Sequence, residues 1–110
     1  MQCHFTVAES LKLLPTPEGK RFVELFQHGT LSVELYAPRG IDMQTPHARD
    51  EIYVIASGTG MFRHAHDADV RFGPGDVFFV AAGVEHRFKD FSDDFATWVF
   101  FYGPEGGEKA

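Results

Sequence analysis

The chain has 110 residues, which suits one compact domain, and 44% of them are hydrophobic, as expected of a protein that buries a core. The 16 acidic and 10 basic side chains give a formal net charge of −6, which argues against a nucleic-acid partner and an anionic membrane surface. The single cysteine, Cys3, excludes an internal disulfide, and no apolar run is long enough to cross a bilayer. We therefore predict a cytoplasmic protein with no membrane partner.

Residues 8–14 predict a short helix near the N-terminus that ends before Pro15. Apolar alternation and glycine-rich turns then predict strands over 22–27, 31–37, 50–56, 61–66, 70–72, 77–80, 86–91 and 95–102. Strands this short, at such regular spacing, indicate an all-β fold, an antiparallel sandwich or barrel. One domain is expected over 1–110, with its barrel at 22–102 and a glycine-rich tail at 103–110 that frays.

Two segments carry side chains typical of metal ligands at the start of apolar strand patterns. His47 and Glu51 are four residues apart, so in a strand both would project from the same face. His86 begins a later strand. Two imidazoles and one carboxylate are a ligand set that holds divalent ions. We therefore predict a metal site where the segments meet; the alternative is a hydrogen-bonded polar cluster without an ion.

The spacing of these residues resembles the two motifs of the cupin family. The matching residues are His47, Glu51 and Gly58 in the first motif and Gly75, Gly83 and His86 in the second. Ala81 stands where the second motif has proline, and Asp90 where it has asparagine. The first motif's opening glycine would be Gly40, one residue out of register. The resemblance covers residues 40–90 and implies a jelly-roll barrel, the cupin fold.

One position departs from the family pattern. The first histidine of the motif would fall at Thr45, whereas the usual cupin site has three histidines and one glutamate. The resemblance thus implies metal ligands at His47, Glu51 and His86. The fourth ligand is either absent or replaced by Gln44, whose amide oxygen is a harder ligand than imidazole. The ion itself, whether Fe, Mn, Ni or Zn, is left open.

Arg49 and Tyr53 share the face of the expected ligands if the strand keeps its period. Arg49 would anchor a substrate carboxylate, or else lie before the regular strand and reach solvent. Tyr53 is expected to pack in the core with a partner for its hydroxyl; the functional alternative is that it donates a proton to bound oxygen or substrate. His64 and His66 are expected to be an exposed pair near a turn.

Two functions follow from the resemblance. Cupins with such sites oxidise, isomerise or cleave small molecules, which implies a metal-dependent enzyme. Oxygenase-type chemistry, that of an oxidoreductase such as a dioxygenase, is preferred because two histidines and a carboxylate suit Fe(II). The alternative is a non-catalytic module that binds or senses a small molecule, with a structural metal or none. Cupin barrels often dimerise and exposed sheet edges can pair, so we also expect a homodimer.

Overall fold

A computed structural model of the chain describes residues 2–109. Its elements are α1 (Val7–Leu11), β1 (Phe22–His28), β2 (Leu31–Tyr36), β3 (Asp50–Ser57), β4 (Gly60–His64), β5 (Val70–Phe72), β6 (Val77–Val80), β7 (His86–Lys89) and β8 (Ala96–Tyr102). The predicted all-β fold with a short N-terminal helix is confirmed. β4 and β7 each end two residues early, because Ala65 (φ 52°) and Asp90 (φ 48°) adopt left-handed backbone that cannot extend a strand.

The strands form two antiparallel sheets that enclose the core. The larger sheet has five strands in the order β1-β2-β8-β3-β6, and the smaller has three in the order β5-β4-β7. Buried side chains from both sheets pack in one cluster, in which Tyr53 and Val99 of the larger sheet meet Phe62 and Phe88 of the smaller. This arrangement, a jelly-roll barrel, sets the start of β3 against the start of β7.

Aromatic rings fill the space between the sheets. The ring centroids of Tyr53 and Phe88 lie 4.9 Å apart, as do those of Phe62 and Phe88. Phe95 closes the far side, 4.8 Å from Phe88. Tilted and edge-on contacts at these distances are favoured by the ring quadrupoles. The rings therefore form a buried apolar floor beneath the side chains at the starts of β3 and β7.

The outer face of the larger sheet is covered by the N-terminal segment. Leu35 and Ala96 are fully buried there, with Leu11 and Leu14 packed against them. Thr6 caps α1, since its side chain accepts a hydrogen bond of 3.1 Å from the Glu9 backbone N–H. No helix among residues 2–109 is long and apolar enough to span a membrane.

The C-terminal tail returns to the barrel. The Gly106 N–H donates to Ala48 O at 2.7 Å, and the Glu108 N–H donates to Asp50 Oδ2 at 2.8 Å. The other oxygen of Asp50 accepts from the Ala82 N–H at 2.9 Å. Fraying of 103–110 stays a prediction, which these contacts oppose.

Replacing Gly58 with alanine is expected to lower the free energy of unfolding by about 2–4 kcal/mol. Gly58 has a φ of +84°, and a Cβ there would lie 2.6 Å from the Phe95 Cα, a backbone atom with little freedom to move. Gly73→Ala is the matched control, because a Cβ at Gly73 meets nothing within 4 Å. Urea denaturation measures both; equal losses in the two variants would contradict the expectation.

Candidate metal centre

The facing sheets bring together the three side chains that the sequence singled out. Glu51 is the second residue of β3 and His86 the first of β7, while His47 lies in the loop before β3. Glu51 Oε1 is 3.1 Å from His86 Nε2 and 3.8 Å from His47 Nε2. One ligand atom from each residue lies within 4.8 Å of the others. The arrangement is a compact set of two imidazoles and one carboxylate.

The carboxylate of Glu51 is buried in this cluster without a hydrogen bond from any described residue. The residue is 1% exposed, and neither carboxylate oxygen has a hydrogen-bond partner among the residues the structure describes. His86 Nε2 is close enough, but it is not aligned for a hydrogen bond. A buried carboxylate without a hydrogen-bond partner is costly, and a divalent ion would compensate it directly. The donor set therefore fits a metal ion.

The spacing of the ligand atoms is also close to what one ion requires. Two ligands at right angles, each bonded at about 2.1 Å, lie about 3 Å apart. The Glu51–His86 pair already has this separation, at 3.1 Å. His47 is farther from Glu51, at 3.8 Å, and its side chain is 32% exposed. A small shift of one loop residue would complete the three-ligand set.

His86 is held with the correct nitrogen facing the cluster. Its Nδ1 lies 3.0 Å from Val84 O, a hydrogen bond that requires the proton on Nδ1, so in the neutral imidazole the Nε2 lone pair faces the cluster. Burial lowers the pKa of His86, but the adjacent Glu51 carboxylate and the hydrogen bond to Val84 O outweigh it, and the net pKa is raised. Burial lowers the pKa of His47, with Glu51 opposing. Because a bound ion must displace any proton on His86, metal affinity falls in acid.

Gln44 and Tyr53 complete the wall of the cluster. Gln44 Oε1 lies 3.0 Å from His47 Nε2 and accepts a hydrogen bond of 2.9 Å from the Tyr53 hydroxyl. That hydroxyl is also 2.9 Å from His86 Nε2. Burial and the Glu51 charge raise the pKa of Tyr53 well above its ordinary value, so the phenol keeps its proton. Tyr53 packs in the core, as expected, and its hydroxyl reaches the predicted ligands; ligation by Gln44 stays a prediction.

Asp42 organises this wall and was missed in the sequence. Its buried carboxylate accepts hydrogen bonds from Gln44 Nε2 at 3.0 Å, from the Gln44 N–H at 3.0 Å, from the Tyr36 hydroxyl at 2.6 Å and from the Phe88 N–H at 2.9 Å. Since Asp42 holds the amide nitrogen of Gln44, the amide oxygen faces His47 and Tyr53. Asp42 lies outside the strands and belongs to no motif, so no sequence pattern identifies it as part of the site.

The structure does not bring Arg49 to the cluster. Arg49 precedes β3, so the strand period does not govern its side chain. Its Nη1 donates to the backbone carbonyls of Thr30 and Gly103. These two hydrogen bonds connect the β1–β2 turn to the residue after β8. His64 Nδ1 lies 3.2 Å from Asp67 Oδ2 and His66 is exposed, and neither belongs to the cluster.

A cavity of about 600 Å³ opens beside the cluster. His47 and Gln44 line it on the side of the predicted ligands, while Val99, Phe101 and Glu34 line it along the sheet. The His47 and Phe101 rings are in edge contact, with centroids 5.0 Å apart. A cavity of this size accommodates a small organic molecule.

Glu34 gives this cavity a dependence on pH in the metal-free protein. Burial, the facing Glu24 on β1 and the charge of Glu51 raise its pKa from 4.5 to about 7. Between these values the folded chain binds more protons than the unfolded chain, so stability falls as the pH rises toward 7. Allowing for solvent screening, we expect the free energy of unfolding to fall by about 1–2 kcal/mol over this range, and Glu34→Gln should abolish that fall.

Thermal denaturation of metal-free wild type and Glu34→Gln across pH 5–8 measures this effect, with exposed Glu85→Gln as the matched control. The wild-type and Glu85→Gln curves should fall together as the pH rises while the Glu34→Gln curve stays flatter. Parallel curves for all three proteins would contradict the raised pKa.

Comparisons with known proteins agree with this architecture. The Cupin_2 family, described as a cupin domain, matches residues 32–102. An uncharacterized protein of Streptomyces coelicolor is 34% identical over 86 residues, which are 76% of this chain and 81% of that one. Acireductone dioxygenases of two Rhodopseudomonas palustris strains are 48% identical over 46 residues, which are 39% of this chain and 28% of theirs. A crystal structure from Klebsiella pneumoniae with a double-stranded β-helix domain superposes with a TM-score of 0.74 at 12% identity, and the match covers 93% of this chain and 90% of that one.

Proposed function

This chain belongs to the cupin family, and we propose that it is a metal-dependent enzyme with oxygenase-type chemistry toward a small organic molecule. The proposed ligands are His47, Glu51 and His86. The observation that carries the proposal is Glu51, a buried carboxylate that lies between two imidazoles and has no hydrogen-bond partner among residues 2–109. Three protein ligands would leave coordination positions free for substrate and oxygen, as in non-haem Fe(II) oxygenases.

A bound Fe(II) would supply the redox chemistry of oxygen activation, and any divalent ion would supply Lewis acidity. The chain's own residues would do the rest. Tyr53, whose phenol keeps its proton, would donate a hydrogen bond to substrate at the cluster. Phe62 and Phe88 exclude water from below. Gln44, the proposed fourth ligand, would have to exchange its contact with Tyr53 for the ion.

The partial identity to acireductone dioxygenases makes acireductone the first substrate to test, although the match covers only 28% of their length. Arg49 has no part in this proposal, because its guanidinium is held by two backbone carbonyls.

Metal content and oxygen uptake together test the proposal. Wild type purified without added metal should contain close to one divalent ion per chain, and the Fe(II)-loaded protein should consume oxygen with acireductone. His47→Ala should lose the ion and the uptake while keeping the fold, since His47 is partly exposed. His66→Ala, at an exposed histidine outside the cluster, should keep both. Wild type that cannot be loaded with any divalent ion would rule out the metal site.

The alternative is a non-catalytic module that binds a small molecule. Its specific support is the hydrogen-bonded pair of Gln44 and Tyr53, which lies between the two imidazoles and contacts both without an ion. Thr45 at the place of a family histidine points the same way. In this case His47→Ala would weaken ligand binding, and the wild type would consume no oxygen with any substrate.

Homodimerisation stays a prediction for either function. The outermost strands of the larger sheet, β1 and β6, have one unpaired edge each among the described strands. Light scattering on the purified protein measures the mass directly.

A further inference from the structure

Three basic side chains stand at the mouth of the cavity that adjoins the cluster: Lys20, Arg21 and Arg39. Within residues 2–109, none of their nitrogens lies within 4.0 Å of a carboxylate oxygen. Among residues 2–109 only Arg63 and Lys89 of the Lys and Arg side chains form such pairs, both with Asp69, so these three are distinguished by their position around one cavity. Three cations around one cavity are unexpected in a chain with a net charge of −6.

The two arginines are held side by side by the backbone. Arg21 Nε and Arg39 Nη1 both donate to Ala37 O, at 2.8 and 3.2 Å, and Arg39 Nη1 also lies 3.0 Å from Pro38 O. Burial and the charge of Arg39 lower the pKa of Arg21, as expected for neighbouring cations. Because a guanidinium has five N–H donors, each arginine keeps several of them for a ligand.

The cavity between these cations and His47 has an apolar wall. Phe22, Ile41 and Met43 line its mouth and Phe101 its inner side, and Met43 is 77% exposed. Large exposed apolar side chains around a concave opening are typical of a ligand-binding groove. Glu34 also lines the cavity and would repel an anion, which leaves the arginine side as the place for negative charge.

We propose that the cavity binds a small organic anion. Its carboxylate or phosphate oxygens would lie on Arg21 and Arg39, and its apolar body would pack along Phe22 and Met43 so that the other end reaches His47. The inference deepens the proposed function and rests on it for the reaction at the His47 end. The binding of the anion itself requires no metal, because the arginines and the apolar wall are independent of the cluster.

Titration with matched probes tests the proposal. Benzoate, phenyl phosphate and neutral benzamide share one ring and differ in charge, and protein NMR would follow their binding to chelator-treated and to metal-loaded wild type. Charge-assisted hydrogen bonds should make the preferred anion bind roughly tenfold or more tightly than benzamide. The ranking of benzoate against phenyl phosphate identifies the anionic group.

Arg39→Gln should remove most of this preference while benzamide binds as before. Arg71→Gln, the same change at an exposed arginine of β5 outside the cavity, should leave the preference intact. Equal affinities for anions and benzamide, equal losses in the two variants, or no anion binding at about 10 mM would overturn the proposal. An anion preference in chelator-treated protein that cannot be reloaded with metal would uphold this inference while the metal proposal fails.

Discussion

Replacing Glu51 with glutamine should have two effects of opposite sign. Metal affinity should fall by at least about 100-fold, because the only carboxylate of the proposed ligand set is lost. The metal-free protein should become more stable, by about 1–2 kcal/mol, because a neutral amide replaces a buried carboxylate that has no hydrogen-bond partner among the described residues. A side chain that destabilises the metal-free fold is expected at a site where a bound ligand offsets that destabilisation.

Thermal unfolding with and without a divalent ion separates the two effects. Wild type should gain stability when the ion is added, whereas Glu51→Gln should begin higher and gain little. Glu85→Gln makes the same change at an exposed glutamate and should behave as wild type. A metal-free Glu51→Gln protein that melts below wild type, or one that retains wild-type metal affinity, would contradict the role given to Glu51.

Replacing Asp42 with alanine is expected to destabilise the fold by about 3–5 kcal/mol, which lowers the melting temperature by roughly 15 °C. The Asp42 carboxylate accepts hydrogen bonds from Tyr36, Gln44 and the Phe88 N–H, and its loss leaves buried donors without partners. Metal affinity should fall as well, because the Gln44 amide is then free to turn away from His47.

Asp42→Asn keeps an acceptor oxygen and should therefore lie between wild type and Asp42→Ala. Asp93→Ala, at an exposed aspartate, provides the matched control and should unfold close to wild type. Calorimetry measures all four proteins. Comparable losses at Asp42 and Asp93 would show that the buried carboxylate does not organise the wall.

The strands could be predicted because their signal is local. Alternation of apolar residues and glycine-rich turns depends on near neighbours, and every expected strand is present. The C-terminal ends of β4 and β7 could not be predicted from such local patterns. Ala65 and Asp90 adopt positive φ values that residues other than glycine seldom take, so no sequence pattern marked them as breaks.

The residues of the cluster and its surroundings likewise differ in how far the sequence predicts them. His47, Glu51 and His86 follow from motif spacing, and the two sheets do bring them together. Asp42 and Arg49 depend on contacts between distant segments. Asp42 reaches the Phe88 N–H across 46 positions and Arg49 reaches Gly103 O across 54. Such contacts depend on how the loops pack against the barrel, which periodicity along the chain does not specify.

Asp50 links three parts of the chain at the edge of the cluster. One oxygen holds the Ala82 N–H in the turn before β7, the other holds the Glu108 N–H, and the next residue along β3 is Glu51. The backbone of Glu108 is thus attached to the strand that carries the proposed metal-binding carboxylate. A neighbouring subunit or a fused domain that displaced the Glu108 segment would therefore shift Asp50, the residue that precedes Glu51 in β3.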